Sequence, residues 1–124
     1  MNKELVIRKC KKCGATAIML EDCKCNCITC CEEKMETLKA NSVDASFEKH
    51  LPQYEKVEDE IYVTVNHVME KDHYIEWIKL VTENTENTVY LYPEQDAACR
   101  FKYIPGSTLY AYCNKHGLWK TDVK

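Results

Sequence analysis

An all-β fold is predicted for this chain of 124 residues: a small cysteine-rich N-terminal domain followed by an immunoglobulin-like antiparallel β-sandwich. Three observations support this prediction. Short segments of alternating apolar and polar residues are separated by turn residues, and no segment shows a convincing amphipathic helical period. Seven of the nine cysteines lie in the first third of the chain. We therefore divide the chain into residues 1–37 and residues 38–124.

The N-terminal domain has too few apolar side chains to offset the entropy lost when a segment of its length becomes ordered. A bound metal would supply the missing free energy. Two of its cysteines are separated by two residues and followed by Gly14, which permits a tight turn, and this spacing is typical of a metal knuckle. An adjacent cysteine pair can complete the site. The candidate ligands are Cys10, Cys13, Cys30 and Cys31.

Spacing alone leaves the ligands and the metal of this domain open. The run Cys23-x-Cys25-x-Cys27 could compete for the metal, or hold a second metal or an iron–sulfur cluster. A purely structural zinc site is a further alternative, because four thiolates bind zinc readily. A disulfide framework is less favoured, since the cysteine count is odd and the chain start has no export signal.

The C-terminal domain follows a polar connector at residues 35–46. Alternation and β-branched content predict short strands, and the polar cluster at residues 84–87 and Pro105-Gly106 predict turns. The predicted strands are residues 61–65, 73–81, 88–92, 99–103 and 107–113.

The last predicted strand places Cys113 on the core side. With a period of two, Leu109, Ala111 and Cys113 share one face, where a thiolate is sheltered from water. Cys99 shares a face with Phe101 in its own strand and is predicted to be a buried, inert thiol rather than a ligand.

A cysteine and a histidine three residues apart on a turn, Cys113 and His116, form half of a metal site. The other three histidines, His50, His67 and His73, each lie beside a turn or a strand end. Taken together, these positions lead to the hypothesis that all four imidazoles and the Cys113 thiolate converge on one metal ion.

These segments resemble those of a known family. The matching stretches are Glu48-Lys49-His50 followed by Pro52, His67-x5-His73-Tyr74-Ile75-Glu76-Trp77-Ile78, and Cys113-Asn114-Lys115-His116-Gly117-Leu118-Trp119. They are similar to the catalytic domain of superoxide reductase, the desulfoferrodoxin and neelaredoxin family. The stretches Cys10-x2-Cys13-Gly14 and Cys30-Cys31 resemble the desulforedoxin-like domain of its two-iron members.

The resemblance implies an enzyme that reduces superoxide to hydrogen peroxide by one electron. It implies a catalytic non-haem iron held by His50, His67, His73, His116 and Cys113, and a second, rubredoxin-type iron held by Cys10, Cys13, Cys30 and Cys31. It further implies that Lys49 attracts the anion, that Glu48 caps the oxidised iron, that a donor such as rubredoxin supplies electrons, and that the chain forms a homodimer.

The chain departs from the family pattern at two places. Val68 follows the second histidine where the family commonly has proline, which affects the expected loop geometry. The run from Cys23 to Cys27 stands where related sequences are rich in glycine, so the first cofactor remains open between iron, zinc and a cluster.

Composition argues against other classes of function. The formal net charge of −3 provides no basic surplus for nucleic-acid binding. No apolar run approaches the ~20 residues of a membrane span, and the first residues do not form a signal peptide, so a cytoplasmic location is expected.

Two other kinds of protein compete with this interpretation. A cupredoxin-like or rubredoxin-like electron carrier would transfer electrons without catalysis, but a copper site needs two histidines, one cysteine and a late axial methionine. No methionine follows His116. A noncatalytic zinc module explains the first domain better than the second, because five ligands exceed the usual tetrahedral demand of zinc.

Overall fold

The computed structural model describes residues 4–22, 27–42 and 49–124. Two units are distinguished by their internal contacts, Glu4–Lys39 and Ala40–Lys124. Within the described ranges no helix is long and apolar enough to cross a membrane. The strands are β1 Ile7–Lys9, β2 Thr16–Ile18, β3 Thr29–Cys30, β4 Glu33–Lys34, β5 Glu36–Thr37, β6 Gln53–Val57, β7 Glu60–Thr64, β8 Ile75–Val81, β9 Glu86–Tyr90, β10 Ala98–Lys102, β11 Thr108–Cys113 and β12 Gly117–Asp122.

The second unit is a sandwich of two antiparallel sheets, with strand orders β10-β7-β6 and β12-β11-β8-β9. Both sheets contribute alternate side chains to one core, for example Ile61 and Val63 from β7 and Ile78 and Leu80 from β8. The central strands β8 and β11 are buried along most of both faces. The prediction of an all-β fold is confirmed.

The first unit has short strands and little core. Its sheets have the orders β2-β1-β5 and β3-β4, and no strand in its described residues is longer than three residues. Within the described part of this unit, the buried hydrophobic residues are Leu5, Ile7, Cys10 and Met35. Such a small apolar core cannot by itself offset the loss of conformational entropy.

Three details of the sequence interpretation were wrong. Residues 35–37 do not belong to a connector, because Met35 is buried and β5 pairs with β1. Strand β6 was missed because its side chains are mostly exposed and polar, as befits an edge strand. Strand β12 was missed because its sequence, Gly-Leu-Trp-Lys-Thr-Asp, does not alternate, although it pairs along all of β11.

The edge of β12 is closed by a side chain. Asn41 accepts a hydrogen bond from the Lys120 amide at 2.9 Å and donates one to the Lys120 carbonyl at 3.3 Å. Its own amide donates to the Leu118 carbonyl. A carboxamide can thus replace a neighbouring strand by offering one donor and one acceptor.

Candidate metal centres

Four imidazoles at one end of the sandwich form a closed cycle. Neighbouring ring centroids are 4.7 Å apart for His50 and His67, 4.6 Å for His67 and His73, 5.0 Å for His73 and His116, and 4.8 Å for His116 and His50. The interplanar angles lie between 64° and 90°. In this order His50 lies opposite His73, and His67 lies opposite His116.

The ring nitrogens point toward the middle of this cycle. The Nε2 atom of His50 and the Nδ1 atom of His116 are 3.0 Å apart. Two nitrogens each about 2.1 Å from one metal and at right angles would be separated by about 3.0 Å. The buried Nε2 atom of His73 has no hydrogen-bond partner among the described residues. Ring nitrogens that converge in this way, one of them buried and without a hydrogen-bond partner among the described residues, suit a transition-metal ion.

Cys113 supplies a fifth donor from one side of the cycle. Its Sγ atom lies 3.5 Å from His67 Nε2 and 3.8 Å from His116 Nδ1, which belong to opposite rings. The cysteine is fully buried at the end of β11, and the His116 amide donates to its sulfur at 3.4 Å. As predicted, Cys113 leaves its strand on the core face.

The turn that follows carries His116 back toward this sulfur. Gly117 ends the turn with φ +80°, a conformation in which a side chain would be strained. Trp119, fully buried in β12, stacks on His50 with centroids 4.7 Å apart and donates from Nε1 to the His116 carbonyl at 3.1 Å. One indole therefore supports the imidazole of His50 and the main chain of His116.

The protonation of two imidazoles is biased toward the neutral form. Burial is the main cause that lowers the pKa of His67, and the charges of His73, His116 and Lys49 act in the same direction. Burial also lowers the pKa of His73, followed by the charge of His116. The His67 Nδ1 atom is 2.6 Å from the Val68 carbonyl, so Nδ1 carries the proton and Nε2 keeps its lone pair.

Three of the four imidazoles are within reach of solvent. His67, His73 and His116 are partly exposed, whereas His50 and Cys113 are buried. His67 also lines a groove of about 580 Å³. The predicted catalytic residue Lys49 is exposed, and Glu48 lies outside the described residues.

A second group of ligands lies in the first unit. The sulfurs of Cys13 and Cys30 are 3.6 Å apart, and those of Cys30 and Cys31 are 3.8 Å apart. A tetrahedron of sulfurs about 2.3 Å from one metal has edges of about 3.8 Å. Cys10 completes the group, whose four sulfurs lie within 4.8 Å of one another.

Backbone amides and tight turns shape this four-cysteine group. The Cys13 amide donates to Cys10 Sγ and is the main cause that lowers the Cys10 pKa to about 7. Gly14 turns the chain behind the knuckle with φ +80°. Cys31 and Glu32 also have positive φ, 54° and 65°, in the two-residue turn between β3 and β4. Such a conformation costs a non-glycine residue about 1–2 kcal/mol.

Among the described residues, the remaining cysteines, Cys27 and Cys99, do not join either group. Cys27 is disulfide-bonded, so it is not an alternative ligand. Cys23 and Cys25 lie outside the described residues. Cys99 is partly rather than fully buried, and burial raises its pKa to about 12, which suits an inert thiol.

Sequence reasoning gave no role to two residues inside the quoted motif. The sequence motif includes Trp119 but does not indicate that it contacts a ligand. No role was predicted for Asn114, although it lies between the candidate ligands Cys113 and His116. A polar amide directly after Cys113, in a loop that must meet a second loop, was the available signal for Asn114.

Comparisons with known proteins agree with this geometry. Residues 42–122 match the family model described as Desulfoferrodoxin. A desulfoferrodoxin of Clostridium acetobutylicum is 38% identical over 99% of this chain and 100% of the relative. One of Syntrophotalea carbinolica is 36% identical over 98% and 99%. The crystal structure of the superoxide reductase from Treponema pallidum matches with a TM-score of 0.74 and 25% identity, over 97% of this chain and 100% of that one.

Proposed function

The chain belongs to the desulfoferrodoxin family, and on that premise we propose that it is a superoxide reductase. In this reaction superoxide takes up one electron and two protons and becomes hydrogen peroxide. The observation that carries the proposal is the cycle of four imidazoles with a buried thiolate on one side. Both sets of side chains, the histidine–cysteine set and the four-cysteine set, match the two-iron layout of the family.

The five side chains His50, His67, His73, His116 and Cys113 would hold the catalytic iron. When bound, the iron would supply the one electron that reduces superoxide. Neutral imidazoles would leave most of the metal's positive charge uncompensated, and the single Cys113 thiolate would donate electron density to the metal. The fully buried Cys113 also keeps its sulfur away from water and the peroxide product.

Attraction of the substrate is assigned to Lys49. Superoxide is an anion, and the net charge of −3 opposes its approach, so a local cation has to dominate near the site. Lys49 is adjacent to His50, is exposed, and contributes to lowering the pKa of His67. The ammonium group is also a donor that can order water for proton delivery. We assign Glu48 the role of capping the oxidised iron, as the family resemblance implies.

The four cysteines Cys10, Cys13, Cys30 and Cys31 would hold a second iron. Cys13 and Cys31 are exposed, which favours electron exchange with a partner. The proposal includes an external one-electron donor such as rubredoxin, a homodimer, a cytoplasmic location, and a division into a desulforedoxin-like domain at residues 1–37 and a catalytic domain at residues 38–124.

Product stoichiometry tests the proposal. The iron-loaded chain is reduced, separated from excess reductant and mixed with superoxide, and peroxide and oxygen are measured. A reductase yields one hydrogen peroxide per superoxide consumed and no oxygen. A dismutase yields half as much peroxide together with oxygen, and a simple electron carrier yields no rate above spontaneous decay; either result would refute the proposal.

A further inference from the structure

Asn114 connects two of the loops that carry candidate ligands. It follows Cys113 directly, yet its hydrogen bonds reach residues on both sides of His73. Its Nδ2 donates to the Asp72 carbonyl at 2.9 Å, and its Oδ1 accepts from the Tyr74 amide at 3.0 Å. Its main-chain amide donates to the Tyr74 carbonyl at 3.2 Å.

This connection replaces regular strand pairing where that pairing fails. The β8–β11 ladder shifts register between Tyr112 and Cys113, and its last pair joins Cys113 to Ile75. Tyr74 and His73 therefore lie beyond the ladder. Two further main-chain hydrogen bonds join Glu70 and His73. They close the turn before His73 but do not connect it to β11.

The orientation of the Asn114 carboxamide is fixed by its two partners. A carbonyl faces one end of the amide and an N–H faces the other, so only an oxygen and an NH₂ group satisfy both. An aspartate in this position would keep the acceptor, lose the donor and bring a negative charge. Alanine would lose both bonds. The requirement is for a carboxamide and not for a polar residue in general.

The other imidazoles have different supports. His50 stacks on Trp119, and His67 is oriented by the Val68 carbonyl. The inward nitrogen of His73 is buried and has no hydrogen-bond partner within the described part of the chain. Apart from its contacts with the neighbouring rings of His67 and His116, its position depends on the main chain around it, which Asn114 holds on both sides.

We propose that Asn114 is a positioning residue that sets the distance between His73 Nε2 and Cys113 Sγ, and thereby keeps the fourth imidazole in the ligand set. The proposal rests on the assignment of these residues as iron ligands. Residues that orient metal ligands typically change metal affinity or activity by about 10–100-fold when removed. We expect Asn114→Ala to weaken iron binding at the histidine–cysteine site by a factor in this range.

The chain offers a matched control. Asn41 makes the same pair of carboxamide bonds to one main-chain residue, Lys120, at the edge of the same sheet. Asn41→Ala removes bonds of the same kind without touching a ligand loop. General loosening of the sheet would appear in both variants, whereas loss of His73 positioning would appear only in Asn114→Ala.

The experiment uses the full iron-loaded chain and its Asn114→Ala, Asn114→Asp and Asn41→Ala variants. Iron affinity is measured by competition with a chelator. The ferric thiolate band and the midpoint potential show whether the set of iron ligands has changed. Hydrogen exchange measures the protection of the Tyr74 amide. We expect Asn114→Ala to bind iron 10–100-fold more weakly, to shift the band and potential, and to lose Tyr74 protection. Asn114→Asp should keep Tyr74 protection but still weaken binding, and Asn41→Ala should match the unmodified chain.

Two results would overturn the inference: iron affinity, band and potential of Asn114→Ala within twofold of the unmodified chain, or equal changes in Asn41→Ala. If Asn114→Ala does not fold, Asn114→Asp decides, and unchanged iron affinity in that variant would overturn the inference. These readouts do not involve superoxide. If the chain did not reduce superoxide, the effect of Asn114 on iron binding could still be observed. If Asn114 had no effect on iron binding, the proposed reaction could still occur.

Discussion

The two candidate metal centres differ in what holds their ligands. The four-cysteine centre is carried by strands of two or three residues and by the turn at Cys31 and Glu32, where both residues have positive φ. In the histidine–cysteine centre, Cys113 ends β11 and His73 lies two residues before β8, and these strands of six and seven residues are largely buried. We therefore expect the first unit to need its metal in order to fold. In the second unit, the packed strands hold the ligands in place before the metal binds.

This difference follows from the apolar surface that each unit buries. Among its described residues, the core of the sandwich contains thirteen buried residues from both sheets, including Ile61, Ile78 and Leu109. The described part of the first unit buries Leu5, Ile7 and Met35 beside its ligand Cys10. Ligand binding to the folded state adds directly to stability, and a unit with little core depends on it most.

Removal of both metals should have the largest effect on stability, and the first unit should lose much more of its structure than the second. In the metal-free full-length chain, amides of residues 4–39 should exchange at nearly unfolded rates, whereas those of β8 and β11 should stay protected. Hydrogen exchange read by mass spectrometry checks this, with the iron-loaded chain as the control. Equal protection of both units in the metal-free chain would contradict the comparison.

Substitution of Trp119 should have the next largest effect and should destabilise only the sandwich. Trp119→Ala removes a fully buried indole and should destabilise the second unit by about 3–5 kcal/mol. It should also weaken iron binding, because His50 loses its stacking partner. Denaturant unfolding and chelator competition measure the two effects.

Trp119→Phe separates these contributions. It keeps an aromatic ring against His50 but loses the Nε1 donor to the His116 carbonyl, so its losses should be smaller. The optical band of the four-cysteine centre should be unchanged in both variants. A change in that band of the same size as the change in the histidine–cysteine centre would show that the centres are not held independently.

Reversal of the charge at residue 49 should alter rate more than structure. Lys49→Glu should slow the reaction with superoxide by about tenfold at low salt, because steering of an anion into a charged site is electrostatic. The difference should shrink at high salt as the charges are screened. Stopped-flow rates at several ionic strengths measure it, and Lys102→Glu on the exposed side of β10 is the control. If Lys102→Glu slowed the reaction equally, the effect would come from the net charge of the chain and not from the position of Lys49.

The smallest effect concerns pH. The pKa values of His67 and His73 are lowered from 6.5, mainly by burial, so the unfolded chain binds these protons more readily than the folded one. Stability of the metal-free sandwich should therefore be greatest above about pH 6.5 and fall as the pH decreases below it. Thermal unfolding from pH 7.5 to pH 5 measures this trend, and a His67→Gln, His73→Gln double variant should lose part of it.

The parts of the fold that the sequence predicts are those where one pattern dominates. Ile61 and Val63 alternate with exposed neighbours, and Leu109, Ala111 and Cys113 share a face, so β7 and β11 could be predicted together with the side from which Cys113 leaves. The edge strands could not be predicted in this way. β6 is mostly polar, and β12 is identified by its pairing with β11, which is a long-range property.

The candidate sites show the same division. Cysteine and histidine are chemically distinctive, so the side chains that meet at each centre could be singled out from the sequence. The support around them could not, because it depends on distances between loops far apart in the chain. Asn114 meets Asp72 and Tyr74 across about forty residues, and Trp119 meets His50 across about seventy.

The most direct test asks which centre reacts with superoxide. The reduced, iron-loaded chain and its Cys113→Ser and Cys13→Ser variants are mixed with superoxide while the optical bands of both centres are followed. We predict that Cys13→Ser oxidises its histidine–cysteine centre at the unmodified rate and that Cys113→Ser does not consume superoxide above spontaneous decay. Retained consumption in Cys113→Ser, with loss in Cys13→Ser, would contradict the account by placing the reaction at the four-cysteine centre.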